Sequence, residues 1–288
     1  MNTDVCKIAL GTAQFGSRYG ISNKQGQVRP AEVRRILQCA REHGVNTLDT
    51  AALYGQAEAV LATMPLSDFR VVTKTVKWRA DLSLAENRRR FALGLENSCR
   101  LLAQGGALYA CLIHEAADLL RREGPALWEL LVQRKSEGRL HKIGVSVYTP
   151  AQLSAVAEQY DIDLVQLPLN MLDQRFLPWI PQLNARGIEV HARSVFLQGL
   201  LLLAPGEWSP WFDALAPTLR RIPAEGRLQM ALDFALSVPG VDRLALGVTS
   251  RRELEEILRA AERPRSGADY TAFAVDDERF ILPFNWQL

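Results

Sequence analysis

The chain has 288 residues, 48% of them hydrophobic and 23% charged, and a formal net charge of +2 at pH 7. This composition provides a large apolar core with an ordinary solvated surface, and the near-neutral charge argues against nucleic acid or an acidic membrane as a partner. Because no signal peptide or membrane-length apolar run is visible, we expect one cytoplasmic domain over residues 1–288, as a monomer or a weak homo-oligomer.

The four cysteines show no spacing typical of a metal site, and three of them lie in apolar runs. We therefore expect buried free thiols in a reducing compartment and no bound metal. They are Cys6, Cys39, Cys99 and Cys111.

Apolar runs alternate with helical patterns in the first half of the chain. A long polar connection over residues 16–30 separates the first strand from the first helix, and a long loop after a strand is usually functional. Strands are predicted at residues 7–16 (running into a glycine-marked loop), 45–49, 70–75 and 109–114, and helices at about 31–42, 84–103 and 125–137.

The same alternation continues in the second half, where an extended loop with a short helix is predicted over residues 196–222. Strands are predicted at 142–147, 164–168, 188–194 and 244–247, and helices at about 150–159, 224–237 and 251–261. Strands separated by helices favour parallel pairing with right-handed crossovers. No G-x-G-x-x-G follows the first strand, so we predict a closed (β/α)8 barrel rather than an open doubly wound sheet.

Four chemically capable side chains lie at or just past predicted strand ends: Asp49, Tyr54, Lys74 and His114. In a barrel of parallel strands these ends meet at one mouth, where active sites of this fold lie. Each residue alone also has a structural interpretation, as a turn tyrosine, a buried ion pair or a capped core histidine. The shared position of all four favours a catalytic site.

This set of residues suits the reduction of a carbonyl group. Tyr54 would donate a proton to the oxygen, and the Lys74 ammonium would lower the pKa of the phenol by favouring the phenolate. Asp49 would keep Lys74 charged and in place. His114 would donate a hydrogen bond to the oxygen as negative charge develops there.

The run D-T-A-x-x-Y-G-x-x-E, followed by a strand-end lysine and a strand-end histidine, resembles the aldo/keto reductases. The resemblance implies a (β/α)8 barrel with an Asp–Tyr–Lys–His tetrad that reduces carbonyl compounds with a nicotinamide cofactor. The matching positions are Asp49, Tyr54, Lys74 and His114. Of these, Tyr54 and His114 would touch the substrate, and no metal is implied.

The resemblance also implies a cofactor site. Ser146, in Gly144-Val145-Ser146, and Gln166 would hold the nicotinamide carboxamide, although Val147 stands where an asparagine is common. Arg193 occupies the position of the aromatic residue that stacks on the nicotinamide. The remaining implied cofactor positions are Gly11, Thr12 and Asp49, then Ser194, Gln198 and Gly199 over the pyrophosphate, Gly247, Thr249, Ser250, Arg251 and Arg252 near the last helix, and Glu256 at the adenine.

The last helix is expected to bind the adenosine end, because residues 247–250 lead into its N-terminus, where free N–H groups favour an anion. The family's R-x-x-E-N run is changed here: Glu253 replaces the arginine and Ile257 the asparagine. Arg251 and Arg252 could reach a 2′-phosphate instead, whereas Glu253 would repel it. We predict NADPH in preference to NADH.

The C-terminal segment, residues 279–288, is unusually apolar for a chain end. It would either cross the barrel mouth, with Trp286 contacting the substrate, or pack on the side of the barrel. G-T-A-Q-F-G, Y-G-I-S-N and F-N-W look similar to family members found with sugar-biosynthesis enzymes, which suggests a sugar-related carbonyl substrate.

Two other functions are compatible with the sequence. A cofactor-binding barrel without catalysis would be similar to the potassium-channel β subunits, which resemble the same family. A lyase or isomerase would use Lys74 to form a Schiff base.

Overall fold

Eight parallel strands close into a barrel in the computed structural model, which describes residues 4–223 and 225–288. Each strand pairs with its neighbours in the sequence, and the eighth pairs with the first, so the predicted closed barrel is confirmed. The strands are β1 (Ile8–Gly11), β2 (Thr47–Asp49), β3 (Arg70–Lys74), β4 (Leu108–Ile113), β5 (Leu140–Ser146), β6 (Leu164–Pro168), β7 (Glu189–Arg193) and β8 (Arg243–Gly247).

One principal helix follows each strand. These helices are α1 (Pro30–Glu42), α2 (Ala57–Ala62), α3 (Leu84–Leu102), α4 (Gly124–Ser136), α5 (Pro150–Ala157), α6 (Ile180–Ala185), α7 (Arg227–Ser237) and α8 (Arg251–Ala261). The sequence did not mark α6, and the predicted start of α7 at position 224 lies outside the described residues. Shorter helical turns lie at Val5–Lys7, Ala13–Gly16, Ala116–Leu119, Leu197–Leu202, Pro210–Phe212, Ala216–Leu219, Thr271–Phe273, Glu278–Ile281 and Pro283–Asn285.

Local sequence signals explain where the helices begin. α1 starts at Pro30. Proline is favoured there because it lacks an N–H, and an N–H in the first turn would have no partner within the helix. The buried face of α1 includes Val33, Ile36 and Leu37. α3 begins with a capping box in which the Ser83 hydroxyl accepts from the Glu86 N–H and the Glu86 carboxylate accepts from the Ser83 N–H. These helices pack around the strands through one continuous apolar layer.

The barrel interior is filled by a small apolar cluster of Val72, Ala110, Leu112 and Leu164. A glycine is needed where β5 comes closest to β6, because a Cβ on Gly144 would lie 1.7 Å from the carbonyl oxygen of Leu164. Gly144 is therefore required by the approach of β5 to β6, which also sets the position of Ser146 at the end of β5.

A cluster of polar side chains centred on Glu189 closes the amino end of the barrel. The carboxylate accepts hydrogen bonds from the Tyr109 hydroxyl and His191 Nε2, both at 2.7 Å, and from Lys142 Nζ. Burial raises the pKa of Glu189, but the three donors outweigh it and hold the pKa well below its usual range. This cluster lies at the opposite end of the strands from Asp49, Lys74 and His114.

The cysteines are free thiols in the described part of the chain. Cys39, Cys99 and Cys111 are buried, as predicted, whereas Cys6 is exposed because it lies in the short turn before β1. Within residues 4–223 and 225–288 no helix is long and apolar enough to span a membrane.

Candidate active site

A cavity of about 1050 Å³ opens at the carboxyl end of the barrel. It exceeds the range of about 300–1,000 Å³ that is common for sites of drug-sized ligands. Most of the predicted site residues line it: Gly11, Thr12, Asp49, Tyr54, Lys74, His114, Ser146, Gln166, Arg193, Ser194, Gln198, Gly199, Gly247, Thr249 and Glu256. The structure thus gathers in one cavity residues that are spread over nearly the whole chain.

A buried ion pair lies on the floor of this cavity. Lys74 Nζ is 2.9 Å from both carboxylate oxygens of Asp49, 2.9 Å from the Thr50 carbonyl oxygen and 3.3 Å from the Tyr54 hydroxyl. The Lys74 side chain is only 1% exposed. The three N–H groups of the ammonium are all engaged, which fixes the cation beside the phenol.

The turn that carries Tyr54 is held by the loop after β1. A Cβ on Gly16 would lie 1.6 Å from the carbonyl oxygen of Tyr54, and Gly55 has a φ of +55°. The Gln56 N–H also donates to the Gly16 carbonyl oxygen. Two glycines are needed for this close approach, which sets the position of the phenol over Lys74.

Burial raises the pKa of Tyr54 well above its ordinary value, and the Asp49 carboxylate raises it further, while Arg193 lowers it. The net pKa is therefore raised because the phenol is desolvated and lies near the Asp49 carboxylate, which also pairs with the Lys74 ammonium at 2.9 Å. That Lys74 by itself favours the phenolate stays a prediction. Tyr54 keeps its proton at neutral pH, which is the state a proton donor needs.

His114 lies directly after β4, with its ring centroid 5.9 Å from that of Tyr54 in an edge-on arrangement. Burial, together with the nearby charges of Lys74 and Lys77, lowers its pKa to about 3. The imidazole is therefore neutral at physiological pH and carries one N–H. Its Nδ1 atom is buried without a hydrogen-bond partner among the described residues, so the ring retains unused hydrogen-bonding capacity.

Gln166 connects the ion pair to the adjoining wall of the cavity. Its Nε2 donates to Asp49 Oδ1 at 2.7 Å, while its Oε1 is buried and has no partner among the described residues. Ser146 faces it across the β5–β6 pair. An unused carbonyl oxygen of this kind fits the N–H donors of a primary carboxamide. Val147, which follows, is buried in the apolar core and offers no such polar group.

The Arg193 guanidinium lies over the Tyr148 ring, 4.1 Å from its centroid. It donates to the Val147 carbonyl oxygen at 2.9 Å and to the Ser194 hydroxyl oxygen at 3.2 Å. One face of the cation is thus covered by Tyr148, and the group stays within electrostatic range of Tyr54 and His114. Arg193 supplies a fixed positive charge to the site.

The loop after β7 is unusual in its backbone. Ser194, Leu197 and Gln198 have φ between 46° and 60°, and Gly199 has a φ of 95°. The Gln198 carbonyl oxygen accepts from the Ile21 N–H at 2.9 Å. This contact joins the loops after β1 and β7 across one side of the cavity mouth.

Three of the cofactor positions predicted at α8 lie away from the cavity. Ser250, Arg251 and Arg252 are not among the described residues that line the cavity. Arg251 Nε is 2.7 Å from Glu255 and Arg252 Nε is 2.9 Å from Glu256, each one helical turn away. These two i,i+4 pairs hold the guanidinium groups on the outer surface of α8, and Ser250 serves as its N-cap.

The tail also differs from the prediction for Trp286. Its ring packs on Phe212 with centroids 5.0 Å apart, and its Nε1 donates to the Phe280 carbonyl oxygen at 2.9 Å. Phe284 lines the cavity instead, 4.9 Å from the Tyr148 ring centroid. The turn Pro283–Asn285 sends the two rings to different surfaces, so both expected roles of the tail occur in different residues.

Several residues that the sequence did not single out also line the cavity: Tyr19, Lys77, Tyr148, Arg227 and Phe284. The glycine-rich loop over 16–30 was a signal for Tyr19. For Tyr148 and Phe284 no local pattern distinguishes a cavity wall from a core position.

The sequence profile of the Aldo/keto reductase family matches residues 7–274. A Bacillus subtilis (strain 168) protein named "Uncharacterized oxidoreductase YqkF" is 24% identical over 290 residues, covering 91% of this chain and 89% of its own. The aldo-keto reductase AKR11C1 from Bacillus halodurans is similar in its holo form, with a TM-score of 0.73, 20% identity and 95% of each chain covered. Its apo form gives a TM-score of 0.67 at 21% identity, with 94% of each chain covered.

Proposed function

Since the chain belongs to the aldo/keto reductase family, we propose that it is an NAD(P)H-dependent oxidoreductase that reduces an aldehyde or ketone to an alcohol. The observation that carries this proposal is the contact of the Tyr54 hydroxyl with Lys74 Nζ at 3.3 Å, over the buried Asp49 carboxylate. A protonated phenol, a fixed cation and a neutral imidazole then face one cavity.

Tyr54 is proposed as the proton donor. As the carbonyl carbon accepts a hydride, the carbonyl oxygen becomes alkoxide-like and a stronger base than a phenolate, so the proton moves from the Tyr54 hydroxyl to that oxygen. The phenolate left behind lies beside the Lys74 ammonium. Asp49 holds this ammonium in place, and solvent returns the proton afterwards.

His114 is proposed to orient the carbonyl oxygen. A neutral imidazole donates one hydrogen bond without giving up its proton, and it thereby stabilises the developing negative charge. Arg193 adds a second positive field near the same point. Both groups are held by the protein before the reaction, so little reorganisation is needed.

A reduced nicotinamide dinucleotide, when bound, would supply the hydride. The residues present fit such a group, because the unpartnered Gln166 Oε1 and the Ser146 hydroxyl can hold a carboxamide. Ser194, Gln198 and Gly199 would cover the pyrophosphate. The sequence favours NADPH through Arg251 and Arg252, whereas both guanidinium groups pair with glutamates of α8.

The alternatives make different use of Lys74. A Schiff-base enzyme needs a neutral amine with a free lone pair, whereas Lys74 Nζ has two carboxylate oxygens and a carbonyl oxygen within 2.9 Å. A non-catalytic barrel would not need the full tetrad. The geometry therefore favours hydride transfer over both.

The direct test is a screen of aldehydes and ketones, sugar-related aldehydes included, with each reduced dinucleotide and with its absorbance as readout. We expect turnover with at least one carbonyl substrate. Borohydride added with substrate should trap no covalent adduct on Lys74. Dinucleotide binding without turnover on any substrate would favour the non-catalytic barrel, and a trapped adduct would favour the lyase.

The two rings of the tail should give separable effects. Phe284→Ala removes a cavity wall and is expected to raise KM for bulky substrates by about fivefold, with a smaller effect on small ones. Trp286→Ala, the matched control, should leave KM unchanged and lower the melting temperature by about 4 °C or more, since it removes packing on Phe212. Steady-state kinetics and thermal melts check both, and an equal KM change for small and bulky substrates would contradict the role of Phe284.

A further inference from the structure

The first turn of α8 is already occupied by oxygen atoms of the protein. The Arg251 N–H donates to Glu32 Oε1 at 2.8 Å, and the Glu253 N–H donates to the Ser250 hydroxyl at 3.2 Å. The Thr249 N–H and hydroxyl donate to the Glu253 carboxylate at 2.6 and 2.7 Å. A phosphate bound here would have to replace these contacts, and two of the groups it would displace, the carboxylates of Glu32 and Glu253, are themselves anions.

The charge of this part of the cavity is negative. Glu253 and Glu256 both line it, together with Ile257, on one face of α8. Arg251 and Arg252, the cations of the same helix, do not line the cavity within the described residues, and Arg252 pairs with Glu256 at 2.9 Å. Among the described residues no ion pair involves Glu253, so a dianionic phosphate would meet the Glu253 carboxylate with no cation to compensate the repulsion.

We propose that the adenosine end of this site selects NADH, with Glu253 as the residue that determines the choice. The inference rests on the proposed function and specifies its cofactor. The Glu253 carboxylate uses one lone pair of each oxygen for Thr249, so each oxygen can still accept a hydrogen bond from a ribose hydroxyl. An acidic residue on the ribose 2′-hydroxyl is likewise how NAD is chosen over NADP in doubly wound dinucleotide folds.

Of the cations that line the cavity, Arg227 at the start of α7 is the rival phosphate site. It is 5% exposed, its Nη2 donates to the carbonyl oxygens of Leu219 and Ile222, and its guanidinium lies over the Trp208 ring, 5.6 Å from the centroid. Its Nε and Nη1 atoms are buried without a partner among the described residues, so two of its donor groups stay unused. An experiment must therefore test Arg227 beside Glu253.

The experiment is an equilibrium titration of the unsubstituted 288-residue chain with NADH and with NADPH, in which binding is measured by calorimetry or by nicotinamide fluorescence. We expect NADPH to bind at least about tenfold more weakly, because like charges brought together at an interface are strongly unfavourable. The ratio of the NADPH dissociation constant to that of NADH should fall as the salt concentration is raised, because salt partly screens the repulsion.

Two variants of α8 assign the effect. Glu253→Gln keeps the shape and the hydrogen-bonding oxygen but removes the charge, so we expect the ratio to fall to about threefold or less. Glu262→Gln makes the same charge change on the exposed C-terminal end of α8, about 13 Å along the helix, and should leave the ratio unchanged.

Three outcomes would overturn the proposal: equal or tighter binding of NADPH by the wild type, a ratio unaffected by Glu253→Gln, or the same change in Glu262→Gln. If the wild type prefers NADPH and Arg227→Met abolishes that preference, the 2′-phosphate binds at Arg227 on α7 instead. Failure to bind either dinucleotide would contradict the proposed function itself, so the two failures are distinguishable.

Discussion

Replacing Tyr54 with phenylalanine is expected to lower kcat by about two or more orders of magnitude, the usual range for loss of a general acid. The variant keeps the ring that lies over Lys74, with Nζ 4.9 Å from its centroid, and removes only the hydroxyl. The Asp49–Lys74 pair and the carboxamide site on Gln166 stay in place. Dinucleotide affinity should therefore change by less than about threefold, because the substitution removes no group that is assigned to dinucleotide binding.

Tyr270→Phe is the matched control. It removes a buried phenol that lies outside the cavity, 3.3 Å from the Ser266 hydroxyl, and kcat should be unchanged. Steady-state kinetics on any substrate found in the screen, with a binding titration of each variant, decide the matter. Normal turnover of Tyr54→Phe on every such substrate would refute the assignment of the proton donor.

Lys74→Met is expected to lower both turnover and stability. The loss of the ammonium removes the charge beside the phenolate, which should reduce kcat at least about a hundredfold. It also leaves Asp49 buried without its cation, and breaking a buried pair in this way costs about 3–5 kcal/mol. Thermal melts should therefore fall by several degrees alongside the kinetic loss.

The double variant Lys74→Met/Asp49→Asn separates the two effects. Removing both charges relieves the uncompensated carboxylate, so the melting temperature should recover most of its loss, while kcat stays low. If turnover recovers together with stability, Lys74 acts only as a structural partner of Asp49. Because Gln166 Nε2 donates to the Asp49 side chain, the asparagine must keep its oxygen toward Gln166.

That these four side chains lie together could be predicted from the sequence because three of them end an apolar run. Lys74 is the last residue of β3, His114 directly follows β4, and Tyr54 lies in the short turn after Asp49. The directions of side chains are less predictable. The pKa of Tyr54 depends on how completely the phenol is buried, which the sequence alone does not specify.

The surroundings of Arg251 and Arg252 could have been predicted better. They precede Glu255 and Glu256 by four residues, the spacing of ion pairs along one helix face. That spacing was visible in the sequence and predicts arginines that pair within the helix. By contrast, nothing local distinguishes Phe284 from Trp286, because their surroundings come from residues far away in the chain.

The polar cluster around Glu189 has a consequence for how such a chain can diversify. Glu189 is the first residue of β7 and Arg193 is the last, roughly 13 Å away along the strand. Substitutions at the carboxyl end of the barrel do not alter the contacts of this cluster, and substitutions in the cluster do not alter the residues at the carboxyl end. Substrate specificity and thermal stability can therefore change independently, in evolution or by engineering, because the two properties depend on residues at opposite ends of the same strands.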